Sequence, residues 1–400
     1  MRRSRDLIFL KDAALFTLTA FGGPQAHVAI MLKEFVKKRN YISESELLEL
    51  NAFTQILPGP SSTQTVIGIA YKVGGLKLAI LTFLVWVFPS AAVMSFFAIA
   101  YSSLGSRSSF EHILSYVQPI AVGTVGYAAV SLARTILKNQ TSVWLCLGAI
   151  CVTLILRNAF VFPILILLGG IVTSALETTP EESELRVRLF SNINRNKVLY
   201  FLGILLFFAV LGAVINQTSP FSLPIRLFEN FYRNGIIIFG GGQVLVPLMF
   251  TEFVEMKNYL TSSQFLTGYA LQQIIPGPTF SFTSFLGAMA MKNAGNDLWG
   301  QIVGSMVATL GINLPGAILV LFFVPFWSDL KKIARIKNSL SGINAVAVGF
   351  IVAAFIFLMK PIGLNFLSIG LVLSTFLILY FTRIRAPFLI IIGLLLGILF

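Results

Sequence analysis

The sequence predicts an all-α polytopic membrane protein: two inverted-topology repeats, each with Gly/Pro-broken re-entrant helical hairpins, plus one linking transmembrane helix. Three observations carry this prediction. The 400 residues are 56% hydrophobic and only 11% charged, against about 25% charged in a soluble domain, and apolar runs too long for a buried core recur along the chain. The stretch Phe21–Pro60 is written twice. Phe21-Gly22-Gly23-Pro24-Gln25 and Leu57-Pro58-Gly59-Pro60 return as Phe239-Gly240-Gly241-Gly242-Gln243 and Ile275-Pro276-Gly277-Pro278, 218 residues later (239 against 21, 276 against 58), with 19 identities in 40 ungapped positions. One apolar segment between the copies has no counterpart, and an odd crossing between equal halves turns the second upside down.

In chain order, residues 7–39 read as a helix, a break at Gly22-Gly23-Pro24 and a second helix; residues 44–74 repeat the pattern around Pro58-Gly59-Pro60. Apolar runs follow at 78–103 and 112–133, then shorter ones at 142–156 and 160–176, completing a first repeat over 1–176. Residues 177–197, rich in Glu and Arg, read as a cytoplasmic linker, and 198–216 as the linking helix. The second repeat, 217–400, has broken segments at 224–254 and 262–292 and runs at 298–328, 339–359, 362–381 and 386–400. Leu314-Pro315 matches Phe88-Pro89 after a small insertion, so the duplication continues beyond the core motif.

The net charge of +13 does not indicate nucleic acid, because the basic residues lie in short loops between apolar runs, where they set topology. Cys146 and Cys151 share one apolar segment and have neither zinc-site nor disulfide-framework spacing. His27 and His112 are the only histidines, so no metal site, cofactor or Ser-His-Asp triad is expected. The basic start Met1-Arg2-Arg3-Ser4-Arg5 leads into a run interrupted by Lys11 and Asp12 with no small-residue cleavage site, and reads as a retained first helix with a cytoplasmic start. With the broken segments as hairpins, cytoplasmic loops hold 21 Lys/Arg and outer loops about 7. Loop 33–45 carries Lys33, Lys37, Lys38 and Arg39, whereas its equivalent 251–262 carries only Lys257 with Glu252 and Glu255. Loss of positive charge from the repeated motif is what inversion requires.

Phe-Gly-Gly-Pro-x-x-His at 21–27 and Pro-Gly-Pro at 58–60, both duplicated, resemble the chromate ion transporter family of the long-chain, two-domain type. The resemblance implies a multi-pass inner-membrane protein that expels chromate, with sulfate as the similar anion. The second copy departs from the pattern, with Gly242 in place of Pro24 and Leu245 in place of His27.

Chromate and sulfate are tetrahedral dianions. A helix that starts within the membrane offers free N–H groups and the positive end of its dipole, without a full buried charge. Glycine lets backbone approach the anion, and proline at a helix start sacrifices no needed donor. The expected anion site is therefore Gly22, Gly23 and Gln25 with Gly240, Gly241 and Gln243 at one pair of breaks. Pro58, Gly59, Pro60, Ser61, Ser62 and Thr63 with Pro276, Gly277, Pro278, Thr279 and Ser281 form the other pair. Non-helical backbone needs protein or a wet cavity around it, so the four breaks are expected to converge on one cavity. Lys11 and Arg233 either balance the anion's charge or snorkel. Glu34 and Glu252 hold equivalent positions, as coupling carboxylates or, the preferred reading, as solvated interfacial ones.

The leading function is a secondary transporter of chromate-like oxyanions working by alternating access. A passive anion channel or a sulfate transporter would use the same half-helix site. An intramembrane enzyme needs clustered carboxylates or histidines, and the 16 acidic residues lie mostly in loops. Membrane lipid is the only other partner implied; a homodimer is compatible with the sequence. Single cysteines at Ser43 and Ser262 are expected to react with an impermeant thiol reagent from opposite sides of the membrane. Labelling from the same side would remove the inversion.

Overall fold

The computed structural model describes residues 2–21, 23–104, 108–156, 158, 161–176, 199, 201–208, 222–238, 242–326, 334–363 and 365–399. The linker 177–197 lies outside them, and of the linking helix only 199 and 201–208 are described, as helix. Every regular element among the described residues is helical.

The first repeat contributes α1 (Arg2–Thr19), α2 (Gly23–Met31), α3 (Glu44–Ile56), α4 (Ser61–Leu104), α5 (Ser108–Ile136), α6 (Gln140–Ile155) and α7 (Val161–Leu176). The second contributes α8 (Ser222–Ile237), α9 (Gly242–Met249), α10 (Ser262–Ile274), α11 (Phe282–Asn293), α12 (Leu298–Phe323), α13 (Ala334–Ile362), α14 (Phe366–Phe381) and α15 (Ala386–Leu399). The duplication read from the motif extends to element boundaries. α2 and α9 both run on into seven-residue π-helical turns, Leu32–Lys38 and Phe250–Met256, which the sequence pattern does not announce. Two residues beyond each turn stands an asparagine with φ of 51°, Asn40 and Asn258, a left-handed position that asparagine tolerates. α3 and α10 each start in a capping box, Ser43 with Glu46 and Thr261 with Gln264. From Pro89 and Pro315 onward the repeat spacing is 226 residues (315 against 89), and Asn139 and Asn365 cap α6 and α14 at that spacing.

Among the described residues, four helices are long and apolar enough to cross a membrane: Ser61–Ser103, His112–Ile136, Leu298–Phe323 and Ser339–Ile362, one pair from each repeat. In the first repeat the second half of the broken segment 44–74 and the run 78–103 join into α4, bent at Gly75 (φ 77°, ψ −165°). The second repeat instead has a short turn at 294–297 between α11 and α12. α6, α7, α14 and α15 have 14–16 residues, about 21–24 Å of helix, shorter than a hydrocarbon core of about 30 Å.

In each broken segment, side chains from the two sides of the break meet. Across the first, Asp12 of α1 pairs with Arg39 at 2.8 Å and accepts from Tyr41 at 2.7 Å. Across the second, Glu46 pairs with Lys72 at the open end and Thr54 meets Thr65 nearer the tip. In the second repeat, Arg233 and Asn234 of α8 reach Glu252, and Asn293 of α11 bonds Gln264.

The repeats are interleaved, because α5 packs on α14 and α15 while α13 packs on α6 and α7. Small residues permit the close approach that drives helix association where lipid is as apolar as the helices. Gly123 of α5 lies against Val372 and Thr375, and its equivalent Gly349 of α13 lies against Cys146 and Ala149. A Cβ on Gly349 would stand 2.6 Å from the Cys146 carbonyl oxygen, whereas one on Gly148 meets nothing within 4 Å. Gly349→Val is therefore expected to destabilise by about 1–3 kcal/mol, the usual range for overpacking, and Gly148→Val to be silent. Thermal unfolding of the two purified variants in one detergent checks this; equal Tm values would refute the interleaved contact.

Candidate functional site

The breaks meet tip to tip between repeats. The Gly277 N–H donates to the Ala20 carbonyl at 2.9 Å, and the Gly59 N–H donates to the Ile238 carbonyl at 2.7 Å. Ala20 and Ile238 are equivalent positions immediately before the two Phe-Gly-Gly breaks. Each Pro-Gly-Pro turn thus satisfies the broken helix end of the opposite repeat. The turns require glycine, since Gly59 and Gly277 have φ of 110° and 109°. Each turn also packs on the residue after the membrane-helix proline of the other repeat. Ser90 Oγ donates to Pro276 O at 2.8 Å; opposite, Gly316 has no side chain, and Gln64 Nε2 lies 2.8 Å from Pro58 O and 3.1 Å from Gly316 O.

The two tip contacts differ. A cavity of about 600 Å³ reaches the Ala20–Gly277 contact. Gly23, Gly277 and Thr279 line its depth, with Tyr269, Gln272 and Gln273 of α10 and Thr124 and Ser131 of α5 beside them. Two helix starts border it, α2 at Gly23 and the 3₁₀ turn Thr279–Ser281 that leads into α11. Ser281 Oγ lies 2.8 Å from Gln272 Oε1 and 2.8 Å from Pro278 O, so it orients the glutamine carboxamide. Among the described residues, the charged ones lining the cavity are Arg383 and Arg385, on the turn between α14 and α15.

The Gly59–Ile238 contact is filled by protein. Ser61, Ser62, Thr63 and Gln64 are buried. Thr63 accepts from the Trp86 indole at 3.0 Å, and Trp86 stacks on Phe16 with ring centroids 4.5 Å apart. The expectation that four breaks open on one cavity is thereby narrowed: four breaks meet in two contacts, and one contact borders the cavity. Of the expected anion-binding residues, Gly23, Gly277 and Thr279 line it, Ser281 stands behind Gln272, and Pro276 and Pro278 flank Gly277. Pro58, Gly59, Pro60, Ser61, Ser62 and Thr63 belong to the closed contact. Gly22, Gly240 and Gly241, and the side chains of Gln25 and Gln243, lie outside the described residues. Tyr269, Gln272, Thr124 and Ser131 were not singled out from sequence. Gln273 lies opposite Gln55 in the duplication, at 218 residues' spacing.

The charged candidates stand apart from the cavity. Lys11 is exposed on α1, which fits snorkelling. Glu34 is at the surface and pairs with Lys38 at 2.8 Å. Glu252 corrects the reading of a solvated carboxylate: it is 1% exposed. It binds Arg233 at 2.7 Å, Lys257 at 2.8 Å and the Asn234 amide at 2.7 Å. Arg233 also pairs with Glu229 at 2.9 Å, so two cations here face two carboxylates. His27 is buried, with Nε2 3.3 Å from the Ala20 carbonyl that also holds Gly277.

A side chain at Gly277 would collide with Ser90 Oγ before reaching the cavity, and one at Gly59 would stand 3.0 Å from Gly316 Cα. Substitution there thus acts by parting the tips rather than by occupying anion space. Gly277→Ala is expected to lower Tm. Adding Ser90→Gly should recover the collision component and leave the left-handed strain of about 1–2 kcal/mol. No recovery in the double variant would place the conflict elsewhere.

A family model described as chromate transporter matches residues 9–174 and 225–398. A chromate transport protein of Cupriavidus metallidurans is 24% identical over 372 residues, 92% of this chain and 87% of its own. A probable chromate transport protein of Synechococcus elongatus is 26% identical over 351 residues, 88% and 82% of the two chains. An uncharacterized transporter of Methanocaldococcus jannaschii is 23% identical over 364 residues, 91% and 87%. No solved structure matches the chain. With two matched regions that together cover most of its length, this chain belongs to the chromate transporter family.

Proposed function

We propose that this protein is a secondary transporter that expels chromate, and accepts sulfate-like tetrahedral oxyanions, across the inner membrane by alternating access. The observation that carries the reading is the cavity at the Ala20–Gly277 contact: its depth offers helix starts, hydroxyls and carboxamides, and among the described residues no carboxylate lines it. A dianion needs such donors, and acid side chains there would repel it. The anion binds over Gly277 and Thr279, with Gln272, Gln273 and Tyr269 supplying side-chain donors.

Alternating access rests on the unequal tips. The duplicated hairpins, re-entrant and inverted, make one open and one closed arrangement from the same motif, and exchange of the two arrangements moves the opening across the membrane. With the N-terminus cytoplasmic, the turn 382–385 is cytoplasmic and the cavity faces inward, as capture for export requires. The buried packing of Ser61–Thr65 and Trp86 at the other tip favours a carrier over a channel, which needs both ends open.

Equilibrium binding of labelled chromate or sulfate to purified protein tests the site. Thr279→Val and Gln272→Ala are each expected to raise Kd about 2- to 13-fold, the worth of one neutral hydrogen bond at about 0.5–1.5 kcal/mol, while Lys11→Gln leaves Kd unchanged. Unaltered Kd in both cavity variants would move the site elsewhere. Uptake into inverted membrane vesicles with imposed pH and voltage gradients separates the mechanisms. Saturable, gradient-coupled uptake is expected, and uptake driven by voltage alone without saturation would identify a channel.

A further inference from the structure

Arg383 and Arg385 occupy the turn Thr382–Arg385, are exposed, and line the mouth of the cavity. Among the described residues neither joins an ion pair, whereas Arg39, Lys38, Lys72, Arg233 and Lys257 are each matched to a carboxylate. Arg134, the nearest cation along α5 to the lining residue Ser131, is held 4.6 Å over the Tyr380 ring. The bias toward cytoplasmic positive charge accounts for arginines on this turn; it does not account for a cavity lined, among the described residues, by two unmatched cations and no carboxylate.

The depth of the cavity leaves part of a dianion's charge uncompensated. Two helix starts border it, and each contributes roughly half a positive charge, so they offset about one of two negative charges.

We propose that Arg383 and Arg385 form an electrostatic collar that draws the oxyanion into the cavity and favours divalent over monovalent anions. This rests on the transport reading above. Coulomb attraction scales with the product of the charges, so two cations act twice as strongly on a dianion as on a monoanion. A collar at a low-dielectric mouth raises the capture rate and leaves the bound state to the donors below. Its effect appears in KM, with kcat unchanged.

The test is initial-rate sulfate uptake in phosphatidylcholine proteoliposomes, which contain no anionic headgroup to occupy the arginines. Ionic strength runs from about 0.01 M to about 1 M, over which the screening length falls from about 30 Å to about 3 Å. The collar requires that the wild-type KM rise with salt and that Arg383→Gln/Arg385→Gln raise KM at least about threefold at low salt, within the range of steering effects. The gap closes at high salt, kcat is equal, and Arg383→Lys/Arg385→Lys behaves as wild type. Competition by nitrate, a monoanion, changes less between wild type and the glutamine variant than competition by chromate. Equal KM values at low salt, or a rise in KM that salt does not remove, would overturn the proposal. If the glutamine variant does not insert, the wild-type salt dependence decides, and a flat KM is fatal. Absence of any saturable sulfate or chromate uptake by the wild type defeats the transport reading itself. Saturable uptake indifferent to the arginines defeats the collar alone.

Discussion

Two backbone hydrogen bonds hold the centre of this molecule: Gly277 N–H to Ala20 O and Gly59 N–H to Ile238 O. Interrupting a helix within a membrane exposes polar groups that lipid cannot satisfy. Here each interruption is satisfied by the interruption of the other repeat. Neither repeat's pair of breaks is complete alone, which explains why the Phe-Gly-Gly and Pro-Gly-Pro breaks occur together in both halves. The glycines at 59 and 277 hold φ values that other residues adopt at a cost, and their missing side chains leave room for Gly316 and Ser90.

A shared scaffold with unequal fillings separates the two tips. At the first, Trp86, Thr63 and Gln64 occupy the space around the helix start and use its polar groups. At the second, Phe282 stands where Gln64 does in the first repeat, and the donors of Thr279, Gln272 and Gln273 face a cavity. Helix starts, hydroxyls and carboxamides bind an anion without the desolvation cost of a buried cation. The two arginines at the mouth keep their charge where water still solvates it.

The charged residues of the broken segments perform a different task. In the first repeat Asp12, Arg39 and Tyr41 tie α1 to the end of the π-helical turn. In the second the corresponding tie is buried, and Glu252 is surrounded by Arg233, Lys257 and Asn234. Burying a carboxylate is tolerable only when its partners are complete, and removing one of them leaves an uncompensated charge. This network pins α8 to the π-helical turn that follows α9, and its two cations are matched by two carboxylates.

Local chemistry made much of this legible without coordinates. Apolar run lengths specify membrane helices, because nothing else buries them. An ungapped duplication at 218 residues specifies two equivalent units, and Gly/Pro pairs specify where helices must stop. The family resemblance rested on those same motifs. The pairing of tips was not legible, because a hydrogen bond between Gly59 and Ile238 depends on how two distant segments dock. For the same reason Glu34 and Glu252, identical in the alignment, separate into a surface ion pair and a buried network: the alignment places Arg233 opposite Leu15 and Asn234 opposite Phe16, and only packing reveals what those neighbours enclose. Tyr269, Gln272 and Thr124 carry no motif, and they line the cavity because α5 of one repeat lies beside α10 of the other. The sequence by itself determined the membrane fold, its duplication and the positions of its breaks. The tertiary structure decided which break opens to a cavity, because that depends on whether neighbouring side chains fill the space left beside a helix start.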